Sequence, residues 1–179
     1  MRGLRLARLG LVALIVVAFQ ASVMIKITLA GVHPELIWLL PMAAGLVGGM
    51  EYGALMGFVA GFALDCLLPT PFGLTAFVGV ILGFVVGQIA ERTGFGGEGG
   101  VWWLLPATGA GVSAGGALAY ALFGIVFGQE QFAGVNFIAL LPVVALGGAL
   151  FAVPVWAMSA WAFGSRRGAR HGRSSEVSW

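Results

Sequence analysis

Residues 36–68 form a nearly unbroken apolar run, and no soluble helix accommodates one of that length. Drawn as a single helix it would measure roughly 50 Å, too long for the ~30 Å hydrocarbon core of a bilayer even with strong tilt. Before Asp65 its only charge is Glu51, which stands beside Gly48 and Gly49. A turn at that point divides the run into two short spans, 36–50 and 52–68.

Apolar runs of spanning length recur on both sides, at 9–29, 72–90, 101–127 and 137–163. With 60% hydrophobic and 9% charged residues, the chain lies far from soluble domains, where about a quarter of residues are charged. The reading is an all-α membrane protein: a compact bundle of about six transmembrane helices in a single domain, 1–164, followed by a basic, disordered tail, 165–179. The N-terminus has the basic start of a signal peptide. Its apolar run continues without a convincing small-residue cleavage site, so it is expected as a retained first span. Trp102 and Trp103 open the fifth span at interfacial depth, and Pro142 and Pro154 predict bends in the sixth.

Charge sets the expected orientation. Arg2, Arg5 and Arg8 precede the first span, and Arg166, Arg167, Arg170 and Arg173 follow the last. Six spans put both ends in the cytoplasm, whereas five would force one out. Lys26 is then the one basic residue on the outer side, with Glu35, Asp65 and Glu130. The net charge of +2 belongs to this asymmetry rather than to nucleic-acid binding, and the basic tail suits topology and contact with anionic lipid.

The most patterned stretch is residues 53–76. Gly53, Gly57 and Gly61 stand four apart, Asp65 takes the next step, and a break with Pro71 and Gly73 precedes the next apolar helix. Helices in lipid gain little from hiding apolar surface in one another, so association depends on close approach, which residues without side chains permit. Gly79, Gly83 and Gly87 repeat the pattern in the fourth span, and Gly111 and Gly115 echo it in the fifth. These faces read as internal helix packing or as a partner surface. Asp65, about a turn from the outer end of its span, is costly in hydrocarbon. Two readings stay open for it: a capped turn or ion pair, with Lys26 at similar depth as the natural partner, or a functional acid coupled to a ligand, ion or partner.

Other motifs carry less. Gly94, Gly96 and Gly99 fit a dinucleotide fingerprint in spacing, but they follow a membrane helix instead of a strand and read as a loop. His33 is expected as an interfacial turn residue, and Glu35, just after Pro34, in the first turn of the second span. Gln20 and Gln88 suit hydrogen bonds between helices. Cys66 is the only cysteine, which excludes an intramolecular disulfide and a cysteine metal cluster. No nucleophile, base and acid stand in a recognisable combination, so no catalytic residue, cofactor or metal is expected.

At the glycine ladder and break the chain resembles the MreD family of bacterial rod-shape-determining membrane proteins. The residues that carry this are Gly57 and Phe58, Gly61 and Phe62, Asp65, Pro71, Gly73 and Leu74, and Ala76. Upstream, Pro34, Glu35 and Leu36 resemble the family's opening of the second span, with Glu where Asp is more usual. Gln20 stands at a matching site in the first. The likeness covers roughly residues 20–90.

The resemblance implies a non-enzymatic scaffold in the plasma membrane, part of the machinery that elongates the lateral cell wall. It implies association with a single-span MreC-like protein, through it with RodA and a penicillin-binding transpeptidase, and indirectly with MreB. In such a scaffold Gly53, Gly57, Gly61, Gly79, Gly83 and Gly87 hold the bundle or meet partner helices, while Lys26, Glu35, Asp65, Pro71 and Gly73 form an outer rim. The fold implied is also that of the substrate-binding membrane subunits of energy-coupling-factor transporters. A vitamin-binding subunit is therefore the alternative, with a structural membrane protein of unknown partner as a third reading.

Overall fold

The computed structural model describes residues 2–22, 35–67, 72–95, 102–128 and 137–164, with side chains described from residue 7 onward. Lys26, His33, Pro71, most of the glycine loop after the fourth span and the basic tail lie outside these residues. Among the described residues every regular element is helical. The order is α1 (Arg2–Ser22), α2 (Leu39–Gly48), α3 (Met50–Leu67), α4 (Leu74–Thr93), a 3-10 turn (Trp102–Leu104), α5 (Leu105–Val126) and α6 (Phe137–Phe163). Four of them, α3 to α6, are long and apolar enough to cross a membrane. The chain is an all-α membrane protein.

The long apolar run turns at Gly49. Its φ of +87° belongs to the region that favours glycine, and its N–H reaches the Gly45 carbonyl at 3.0 Å, closing α2. The Gly45 Cα lies 2.9 Å from where a Cβ on Gly53 would stand. Eight residues along a straight helix would be about 12 Å apart, so the chain doubles back here. α2 has ten residues and rises only about 15 Å, half the hydrocarbon thickness. Residues 36–46 are all buried. A helix this apolar all round belongs inside a bundle, and α3, α4 and α6 pack around it.

Contacts along the helices fix their directions. Gly53 meets Gly83 and Gly57 meets Gly79, so α3 and α4 are antiparallel. Arg8 lies over Trp161, and Phe19 lies 6.1 Å from Phe151, so α1 and α6 are antiparallel too. Gly109 packs on Gly148 and Ala152, and Gly148 on Ser113, which pairs α5 with α6. One end of the bundle, the terminal end, therefore holds Arg8, Gly49, Glu91, Trp161 and Phe163. Tyr52 meets Phe163 edge-on there at 5.0 Å. The far end holds Gln20, Glu35, Asp65 and Gly73. α6 continues as one helix through Pro142 and Pro154.

Candidate functional site

The glycines of α3 and α4 bring two backbones together. A Cβ added to Gly57 would collide with the Gly79 carbonyl, one on Gly83 with the Gly53 carbonyl, and one on Gly61 would lie 2.5 Å from the Ala76 nitrogen. The obstacles are main-chain atoms, which cannot rotate away. Gly87 faces Gly49 and Met50, and a Cβ added to Gly45 would stand 3.0 Å from the Gly83 oxygen, so the same surface also seats α2. Gly53, Gly57, Gly61, Gly79, Gly83 and Gly87 thus line a three-helix seam of α2, α3 and α4. Close approach of this kind replaces the hydrophobic drive that lipid removes.

Each end of the hairpin is closed by a carboxylate. Asp65, 3% exposed, stands near the end of α3 and reaches the start of α4. Its Oδ2 accepts the Gly73 N–H at 3.0 Å and the Ala76 N–H at 3.3 Å. Gly73 occupies the N-cap with φ +93° and has no side chain to offer the helix. The acid of the preceding helix supplies the missing acceptor, and its negative charge sits where the helix dipole favours it. At the other end Glu91, near the end of α4, accepts the Met50 N–H at 2.9 Å and so holds the first residue of α3. Each helix of the pair caps the other. Asp65 Oδ1 is buried and has no hydrogen-bond partner among the described residues.

A second polar group lies at the far end, around the entry to α2. Gln20 Oε1 on α1 accepts the Leu36 N–H at 2.9 Å in a buried bond, and the Trp38 indole N–H donates to Glu35 Oε2 at 2.6 Å. Trp38 is fully buried, 6.1 Å from the Tyr120 ring, and Gly116 lies against its face.

The structure joins Asp65 to Gly73 and Glu35 to Trp38, while Gln20 holds the neighbouring Leu36 N–H. Lys26 and Pro71 lie outside the described residues, as does any pairing of Asp65 with Lys26. A Cβ added to Gly111 or Gly115 of α5 would meet nothing within 4 Å among the described residues. These glycines lie on the side of the helix away from Gly109 and Ser113, which make the contact with α6. Glu91, Trp38 and Gly45 escaped sequence reasoning, and Gly49 was read as part of the turn but not of the seam. For the glycines the signal was present: Gly45 and Gly49 extend the four-residue ladder two steps upstream. Glu91 falls just past the fourth span read from the sequence, 72–90, and only the hairpin register brings it to Met50.

Among the described residues no three His, Cys, Asp or Glu side chains gather as for a metal ion. The arrangement is suited to fixing helices, with its carboxylates spent on backbone donors. The family model for rod shape-determining protein MreD matches residues 4–95, just over half of the chain, which spans α1 to α4 and therefore the whole capped hairpin. No match is found among curated proteins or among solved structures.

Proposed function

Since the chain belongs to the MreD family of rod shape-determining proteins, we propose that it is a non-enzymatic scaffold of the cell-wall elongation machinery, a rigid multi-pass seat for a single-span MreC-like partner. Through that partner it engages RodA, a penicillin-binding transpeptidase and, indirectly, MreB. Both termini face the cytoplasm, following their arginines. The supporting observation is the capped hairpin inside the matched region. Its glycines are taken up by α2, α3 and α4, which leaves the outward face of α3 for a partner helix. Phe58 and Phe62 stack there at 5.8 Å, and Phe62 meets Phe72 edge-on at 5.2 Å. Asp65 and Gly73 hold the turn that carries Phe72.

The test is affinity purification of the tagged chain from its native membranes in mild detergent, with mass spectrometry of proteins and small molecules. Recovery of a single-span MreC-like protein with wall synthases is the expected result. A second reading, a vitamin-binding transporter subunit, draws on the polar and aromatic set of Gln20, Glu35, Trp38 and Tyr120. Recovery of an ATPase module or a bound vitamin would replace the first reading with this one.

A further inference from the structure

A described cation, Arg8, stands at one corner of the bundle. The Arg8 guanidinium carbon on α1 lies 5.2 Å from the centre of the Trp161 ring on α6. That contact brings the beginning of the first helix to the end of the last. Arg2 and Arg5 precede Arg8 on the same helix. Past Gly164 the sequence continues with Arg166, Arg167, Arg170 and Arg173, so these two stretches hold seven of the nine basic residues.

Nothing described in the chain neutralises the corner. Glu91, at the same end, is engaged by the Met50 N–H, and Glu51 is exposed in the first turn of α3. Arg8 has no carboxylate partner among the described residues. A ring under a guanidinium satisfies its charge in part and leaves its five N–H donors, which radiate from the edge of the plane, available. That planar fork matches two oxygens of one phosphate. Trp161 is 56% exposed, as expected of an indole at headgroup depth.

Beyond the scaffold role, we propose that the corner between the start of α1 and the end of α6 binds the headgroup of an anionic phospholipid of the cytoplasmic leaflet, with Arg8 as the phosphate contact and Trp161 as the aromatic wall beside it. The arginines that follow Gly164 add attraction without defining the site. Zwitterionic lipid, whose headgroup carries its own cation, gains little there.

The test uses the purified full-length chain in mild detergent, titrated with phosphatidylglycerol or phosphatidylcholine and read by native mass spectrometry. Phosphatidylglycerol is expected to be retained in preference, with affinity falling as ammonium acetate is raised. Arg8→Gln should weaken it about fivefold, the worth of one basic residue near an anionic surface. Trp161→Leu keeps every charge and should weaken it by a smaller factor. Equal retention of the two lipids would overturn the proposal. So would unchanged affinity in both variants alongside loss of binding when Arg166, Arg167, Arg170 and Arg173 are all changed to Gln, because the attraction would then be diffuse. All of these readings come from the isolated chain, so they stand or fall independently of partner capture.

Discussion

The α3–α4 hairpin and the α5–α6 pair are both antiparallel and glycine-rich, yet they are built on different terms. In the hairpin, main chain meets main chain at Gly53 and Gly83, at Gly57 and Gly79, and at Gly61 and Ala76. In the second pair, main chain meets main chain only at Gly109 and Gly148, and the side chains of Ala152 and Ser113 share that contact. The hairpin is tied at both ends by carboxylates, whereas the Ser113 hydroxyl is buried without a partner among the described residues. Where backbone alone is the obstacle it cannot move aside, whereas a side chain that shares the contact, such as Ser113, can be replaced by a smaller one. The family match follows the same line, covering residues 4–95 and stopping before α5.

The sharpest way to break this contrast is one substitution made in each pair. Gly57→Ala drives a methyl group into the Gly79 carbonyl and should cost at least the about 1–3 kcal/mol typical of overpacking. Gly111→Ala enters open space and should be neutral or stabilising by up to about 1 kcal/mol through helix propensity. Thermal unfolding of the two purified variants in the same detergent compares them directly. Equal losses would mean that the seam is no tighter than the lipid-facing side of α5.

The next largest effect is expected at the cap. Asp65→Ala strips the acceptor from the Gly73 and Ala76 N–H groups, in bonds at least partly buried, and should cost about 1–3 kcal/mol. Asp65→Asn retains an acceptor and should lose less. In cells, Asp65→Ala should lower the abundance of the chain or its recovery with wall synthases. Full shape complementation at normal abundance would remove any special role for this acid. The smallest effect belongs to Ser113→Ala, which removes a buried hydroxyl with no hydrogen-bond partner among the described residues and should leave the unfolding midpoint unchanged or slightly raised.

Much of the bundle was legible because it follows from one-dimensional rules. The excess length of the 36–68 run demanded a break, and Glu51 beside two glycines marked where; the turn stands at Gly49. The four-residue glycine steps announced close packing, although they could not tell the occupied face of α3 from the open face of α5. That difference is rotational, and only a neighbouring helix defines it. Asp65 was visible as an anomaly, and a capped turn was one of the two readings its position allowed. Glu91 was invisible as a cap because its target, Met50, is brought to it by the register of a whole hairpin. The cluster of Gln20, Glu35 and Trp38 was hidden similarly, since it depends on where α2 begins relative to α1.

The reciprocal caps also limit how this hairpin can move. Sliding α3 past α4 by a single turn, about 5.4 Å, would pull Asp65 away from Gly73 and Glu91 away from Met50 in the same stroke, and it would carry each glycine out of step with its opposite number. The pair is a strut with a latch at both ends. A displacement that keeps these contacts moves the two helices as one body, with no change in the hairpin's length.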